Sequence, residues 1–407
     1  MIIKFGLNLP NNSLHVNKIK YALLIIICCW SVLSFSQSSH YIAGAERTGQ
    51  YISLLKKKNV AIVANPTSMI GGKHLVDSLV KQKIKIKCVF APEHGFRGDA
   101  EAGEHLENGI DKKSGVKVIS LYGKHFKPTK EDLKGVHVVL FDIQDVGVRF
   151  YTYISTLQYV MESCIENKIP IIVLDRPNPN GFYIDGPVLD TAFKSFVGMQ
   201  PIPVVHGMTI GEYALYLNGE YFKSRNKQCD LKVIPIENWN HKSHVILTVP
   251  PSPNLPNMAS IYLYPSLCFF EGTKISVGRG TDKPFQVFGY PESKNGNYYF
   301  KPVSIPGKAK SPMYENQLCR GFDVTEYGQK FASTSGQLNL NWIIQLYAEA
   351  NNKNDFFNSF FDKLAGTDLL KKQIEAGLSE DEIRNSWGEQ LEVFKLIRKK
   401  YLLYEDF

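Results

Sequence analysis

The 407-residue sequence is 44% hydrophobic and 21% charged, the balance of an ordinary globular protein, and it is too long for one compact core, so two domains are expected. The formal net charge of +8 includes Lys4, Lys18 and Lys20 from a first stretch of thirty-six residues that holds no acid. The modest excess that remains, with no dense Lys/Arg stripe and no interleaved aromatics, argues against a nucleic-acid partner.

Residues 1–36 read as an export signal. Lys18 and Lys20 precede an apolar run over 21–33, and Ser34-Phe35-Ser36 supplies small residues before Gln37. The run is short for a bilayer span, so the expectation is a removed signal peptide, a periplasmic or secreted protein, and no stable membrane span afterwards. An uncleaved anchor is the competing reading. Cys28 and Cys29 raise lipidation, against which bulky Ile27 stands where a small residue is needed. Of the five later cysteines, Cys88, Cys164, Cys229, Cys268 and Cys319, none forms a CxxC pair, so neither a zinc ribbon nor a disulfide framework is supported.

A continuous apolar run predicts a buried strand at 60–64, and further strands are read at 84–91, 116–121, 136–141 and 169–174. Helical patterns fall between them at 74–79, 129–134 and 152–167, the last with Ile154, Leu157, Met161 and Cys164 on one face. A helix over 209–221 and a strand over 231–236 continue the alternation. Strand and helix taking turns means a Rossmann-like parallel sheet with helices on both faces. After the Pro-rich run 250–257 a boundary is expected near 265. That gives a first domain of 37–265 and a smaller C-terminal α/β domain of 266–407, with helices at 338–350, 355–364 and 380–400 and the active-site cleft between the two.

The first strand runs into Asn65-Pro66-Thr67 rather than a glycine-rich turn, and no P-loop exists, so no nucleotide cofactor is expected. The chemistry collects instead where other strands end. One apolar strand delivers Glu93 and His94. Another delivers Asp142, Gln144, Asp145, Arg149, Tyr151 and Tyr153, and a third Asp175, Arg176 and Asn178. Ligands bind outside the carboxyl ends of parallel strands, so these loops make a plausible rim. Each residue has a plainer use. Asp142 and Asp175 could cap helices or pair with Arg149 and Arg176, Tyr151 and Tyr153 could be core aromatics, and His206 could only position the turn before the helix at 209. Glu93 has the weakest structural reason to be a carboxylate. Glu93, His94, Asp99, Glu104 and His105 lie close in sequence, but no His-x-His or H-x-x-x-H spacing occurs, so no metal is expected. Two carboxylates, arginines for an anion and aromatic platforms suit glycoside hydrolysis. They suit a sugar-binding or esterase-like protein as well.

Four motifs carry a resemblance: Ala91-Pro92-Glu93-His94-Gly95-Phe96-Arg97-Gly98, the run from Phe141-Asp142-Ile143-Gln144-Asp145 to Tyr151-Thr152-Tyr153, Leu174-Asp175-Arg176-Pro177-Asn178-Pro179, and Glu271-Gly272-Thr273 with Ser276-Val277-Gly278-Arg279-Gly280-Thr281. Over about residues 45–407 the chain resembles the exo-β-N-acetylmuramidases, once known only as a domain of unknown function. The resemblance implies release of N-acetylmuramic acid from the non-reducing end of peptidoglycan fragments, and a Rossmann-like domain with a smaller one closing a cleft. On this reading Glu93 is the general acid/base and His94 its catalytic neighbour. Asp142 is the second carboxylate, with Asp145 the alternative. Arg97, Gln144, Arg149, Tyr151, Tyr153, Asp175, Arg176, Asn178, His206, Glu271, Thr273 and Arg279 are expected to hold substrate, Arg279 taking the lactyl carboxylate from between two glycines. The partner is a peptidoglycan-derived glycan, with no cofactor. The alternatives are a non-catalytic periplasmic muropeptide-binding protein, and a metal- or serine-dependent hydrolase of cell-wall esters or amides.

Overall fold

The computed structural model describes residues 41–98 and 108–407, so the export signal and Asp99, Glu104 and His105 lie outside the described residues. The central sheet is built from β1 (Asn59–Ala64), β2 (Lys85–Ala91), the short β3 (Gly109–Ile110), β4 (Lys117–Ser120), β5 (Val138–Asp142), β6 (Ile171–Leu174) and β7 (Leu231–Ile234). Their order is β3-β4-β2-β1-β5-β6-β7, and every pairing is parallel except β3 with β4.

Alternation along the strands loads both faces. Ala61, Val63, Cys88, Phe90, Val139, Phe141, Ile171 and Val173 face α2 (Tyr153–Asn167) and α3 (Ile210–Tyr216). Val60, Ile62, Val89, Leu140, Ile172 and Leu174 face α1 (Leu75–Lys81) and Tyr51. Burial on both sides is why these strands read as unbroken apolar runs. Strand order reverses at β1, with β2 on one side and β5 on the other, which puts the switch point beside the Glu93 loop.

In the first part of the chain one expected helix is absent and one that was not expected is present. Residues 129–134 form turns: Thr129 and Asp132 cap each other as at a helix start, but Gly135, at a φ of 71°, ends the segment after a single turn. Residues 258–267, read as the far side of an irregular stretch, form α4 (Met258–Leu267), started by an Asn257–Ser260 capping box. Pro265 is tolerated in its last turns. The Ile261 carbonyl that Pro265 leaves without a partner accepts instead from Asn180 Nδ2, at 3.4 Å. α4 runs through residue 265, and one apolar core continues from the sheet across it to Phe269, Phe285, Phe361 and Trp387.

The C-terminal part has its own antiparallel sheet, from β8 (Val287–Tyr290), β9 (Tyr298–Phe300) and β10 (Cys319–Asp323), in the order β8-β10-β9. Its helices are α5 (Asn341–Glu349), α6 (Phe361–Ala365), α7 (Leu369–Glu375), α8 (Glu380–Asn385) and α9 (Gly388–Arg398). The pattern expected as one helix over 380–400 is therefore broken at Ser386-Trp387, and that over 355–364 keeps only its last turn.

The two parts are stitched by buried polar contacts. Arg149, with no exposure, donates from Nη1 to the Pro187 and Ile202 carbonyls at 2.7 and 2.8 Å. From Nη2 it donates to Leu364 and Ala365 at 2.9 and 2.6 Å, at the carboxyl end of α6 where carbonyls lack helical partners. Beyond α9 the chain returns to the first sheet. Leu403 N donates to Glu212, the Tyr404 hydroxyl to Asp175, and the Arg398 guanidinium to the Gly207 carbonyl.

Arg149→Leu removes a donor from four carbonyls, of which that of Ile202 keeps the Leu189 amide. It is expected to lower the unfolding free energy by about 3–5 kcal/mol, read as a lower urea midpoint at unchanged slope. Arg149→Lys should recover only part, because one ammonium does not span four acceptors on three segments.

Candidate active site

Pro92 has no N–H to extend the ladder and ends β2. The chain turns through His94 and Gly95, both at positive φ (68° and 78°), closed by Gly95 N to the Pro92 carbonyl at 3.0 Å. Glu93 is half-buried on this turn, and its Oε2 accepts a hydrogen bond of 2.9 Å from Thr152 Oγ1. Thr152 sits at the cap position of α2, where a hydroxyl ordinarily serves the helix's own amides. Here it makes no capping bond and holds the carboxylate of Glu93 instead.

Glu93 and His94 open on a cavity of about 200 Å³. Phe150, Tyr151 and Thr152 line it from the loop after β5, with Tyr122 and Phe196 at its edge. The facing wall comes from beyond α4: Cys268, Glu271, Arg279, Phe285 and, from just before and within α6, Phe360 and Leu364. Such a space is smaller than a drug-sized site. Arg279 Nε donates to Glu271 Oε1 at 2.5 Å, and the guanidinium lies 5.0 Å from the centre of the Phe285 ring. Burial alone would lower this guanidinium, but the Glu271 carboxylate outweighs it and holds Arg279 above its ordinary value. Among the described residues nothing accepts from its two terminal nitrogens, which leaves a two-pronged donor for an anion. The flanking glycines answer to packing, not to ligand approach as expected. A Cβ on Gly278 would stand 2.5 Å from Val287 Cγ2, and one on Gly280 2.6 Å from the Val303 carbonyl.

Five of the residues expected at the site, Glu93, His94, Tyr151, Glu271 and Arg279, meet in this cavity. The others are not brought to it. Asp142 is fully buried, and Arg176 grips it through Nε and Nη2 at 2.6 and 2.9 Å. Gln144 bonds the Asp145 and Pro177 carbonyls, and with Arg176 borders a separate hollow. Asp145 is buried with Oδ2 on the Gly147 amide and Oδ1 unpartnered, and burial pushes it up to about 7. Arg149 is the interdomain stitch. Burial also pushes Asp175 up to about 7, and it accepts from Thr209, Gly211, its neighbour Arg176 and Tyr404. Tyr153 is a core aromatic whose hydroxyl shares the Pro251 carbonyl with that of Tyr151. Asn178 bonds the Met208 carbonyl, and Thr273 closes its own turn on Phe270. Burial and two nearby arginines push His206 down to about 3, so it is neutral and inside the fold. Arg97 bridges Asp77 and Asp111. Thr152, Cys268, Phe285 and Phe360 line the cavity but were not singled out in the sequence. Only Thr152 had a signal, standing inside a motif between Tyr151 and Tyr153.

A sheet with a switch point, and an acid-bearing cavity that a second domain completes, define an α/β enzyme with its site between two parts of the chain. Comparison with known proteins gives the particular family. Models of the N-terminal and C-terminal parts of the exo-beta-N-acetylmuramidase NamZ match residues 60–259 and 262–404. The chain is 42% identical over 376 residues to the peptidoglycan beta-N-acetylmuramidase NamZ of Bacillus subtilis, covering 87% of this chain and 89% of that protein. Two crystal structures of DUF1343 family proteins from Bacteroides fragilis superpose on it. One has a TM-score of 0.84 at 47% identity, covering 91% of this chain and all of the other; the second has 0.77 at 28%, covering 90% of this chain and all of the other. The chain belongs to the exo-β-N-acetylmuramidase family and is a glycosidase.

Asp145 gives a pH signature. Its folded value of about 7 stands above the unfolded carboxylate value near 3.8, so the folded state holds a proton that the unfolded state has released. Stability is therefore lost as pH rises from about 4 to 7. Asp145→Asn should flatten this dependence, so the fall in Tm between pH 5 and pH 8 is expected to be smaller than in the wild type.

Proposed function

We propose that the cavity takes the terminal N-acetylmuramic acid of a peptidoglycan fragment and that Glu93 cleaves the bond behind it. The observation that carries this is that Glu93, from the first domain, and the Glu271–Arg279 pair, from the second, face one cavity with room for a single sugar. A site closed around one ring admits a chain end and not a chain middle, which is what exo action requires.

Glu93, held by Thr152, acts as general acid on the leaving oxygen and then as base toward water. Glu271 takes the place given to Asp142 in the sequence reading. It is the second carboxylate on the cavity wall, whereas Asp142 is committed to Arg176. Its role is to face the positive charge that develops at the anomeric carbon, or to orient the sugar's own acetamido group for attack. Arg279 keeps Glu271 in place through Nε and offers its terminal nitrogens to the lactyl carboxylate, the group that separates muramic acid from glucosamine. His94 and Tyr151 complete the walls as hydrogen-bonding and stacking partners.

The same reading makes this an exported protein with a removable signal, acting on cell-wall fragments in the periplasm or outside the cell. Lys18 and Lys20, the apolar run 21–33 and the small residues before Gln37 support it. No helix among the described residues is long and apolar enough to cross a membrane. Fractionation and N-terminal sequencing of the mature protein are expected to find it outside the cytoplasm beginning near Gln37, and an intact first segment in the cytosol overturns export.

Glu93→Gln should fold normally and lose about 10²–10⁴-fold in kcat for muramic acid release; near-wild-type release sinks the assignment. Arg279→Ala should weaken binding of the muramic acid sugar far more than of its lactyl-free counterpart. Equal losses for both would reject Arg279 as the anion site.

A further inference from the structure

Tyr122 and Phe196 line the cavity, and the aromatic contacts continue from them to Phe126 and Tyr159, which do not. Tyr122 packs edge-on to Phe126 with ring centres 5.8 Å apart, and Phe126 lies 4.5 Å from Phe196. Phe196 is 6.2 Å from Tyr159, with the two planes within 11° of each other. All four rings are half-buried, so each keeps part of its surface open.

None of the four is placed there by the needs of the core. Phe196 stands at the tip of a tight turn, closed by reciprocal bonds between Ser195 and Gly198 and anchored by Ser155 Oγ on the Phe196 carbonyl. Tyr159 is on the outer face of α2, one turn before Glu162 and two before Glu166, whose carboxylates meet Lys127. An aromatic among charged residues on the outer side of a helix leaves apolar area facing water, and contiguous apolar area of this kind marks a binding surface. The rings follow one another at the spacing of neighbouring contacts, and the row is continuous with the cavity wall.

We propose that the row Tyr122–Phe126–Phe196–Tyr159 is the track for the sugars on the leaving-group side of the cleaved bond. This rests on the reading of the cavity as the seat of the terminal sugar. The occupant is the β-linked amino-sugar chain itself. The faces of its pyranose rings present C–H groups that pack on aromatic planes, while Lys127 and Glu162 at the border supply polar contacts for hydroxyl and acetamido groups. The terminal residue is then selected inside the cavity and the rest of the chain is held outside, so longer fragments bind more tightly than disaccharides without any change in what is cleaved.

The test uses peptide-free glycans that begin with N-acetylmuramic acid, a disaccharide and a tetrasaccharide. Calorimetry in the Glu93→Gln background compares Phe126→Ser and Tyr159→Ser with the parent. Loss of one ring's apolar contact is expected to raise the tetrasaccharide Kd about tenfold, with a much smaller change for the disaccharide. Phe126→Trp should keep the tetrasaccharide preference. The kcat/KM ratio of tetrasaccharide to disaccharide, measured on the same substitutions with Glu93 intact, should fall in parallel. Equal changes for both glycans, or none, overturn the track, and so does a preference that appears only when stem peptides are attached. Products released by the Glu93→Gln parent at the wild-type rate would count against Glu93 as the acid, while the Kd ratio still decides the track.

Discussion

Arg149 is the group on which the rest of the arrangement depends. A guanidinium with no exposure and no carboxylate partner is an expensive thing to bury, and burial lowers it to about 9. What offsets the cost is geometry. A planar fork reaches four carbonyls on three separated segments, two of them at the end of α6. The next residues along the chain, Phe150 and Tyr151, line one wall of the cavity, and Leu364, whose carbonyl Arg149 holds, lines the other. Fixing Arg149 therefore fixes the distance across the site. Two glycines are consequences of the same packing. A Cβ on Gly366 would meet Arg149 Nη2 at 2.7 Å, and Gly198 abuts the Arg149 side chain as well as Leu189.

The polar residues at the strand ends divide into two populations. One builds the site, and the other holds the loops that carry it. The Asp142–Arg176 pair joins the ends of β5 and β6 and reaches the Met69 carbonyl. Asp175 gathers the start of α3 and the returning C-terminal segment. Each of these groups is multiply bonded, and removing one partner would leave the other stranded. The division also explains the economy of the site: Glu93 on a turn of unusual backbone, one hydroxyl to hold it, and one ion pair opposite.

Much of the fold was legible because parallel strands buried on both faces cannot hide. The apolar stretches 60–64, 88–91, 138–141 and 171–174 mark β1, the second half of β2, β5 and β6, and α2 shows its apolar stripe. The helix expected over 129–134 stops after one turn at Gly135, whose positive φ ends it, and α4 was hidden by its proline. In the site, the motif loops carried Glu93, His94, Tyr151, Glu271 and Arg279 into view. A sequence shows that a carboxylate ends a strand, but not which partner waits for it. Asp142 and Arg176 are 34 positions apart, and only the pairing of β5 with β6 makes them neighbours. The Phe285 and Phe360 walls were invisible for the same reason, being aromatic residues among many until the fold selects them.

The segment after α9 bears on how the molecule comes to be folded. Leu403, Tyr404 and Arg398 supply the partners of Glu212, Asp175 and the Gly207 carbonyl, all of which belong to the first sheet and its helix. Asp175 and Glu212 have nearer donors in Arg176, Thr209 and Gly211, and the carboxyl-terminal segment adds one more to each, 229 and 191 residues further on. The first sheet therefore makes its last bonds only once residues 398–404 have joined it. Contacts of this sequence separation raise the contact order, and a fold rich in them forms slowly.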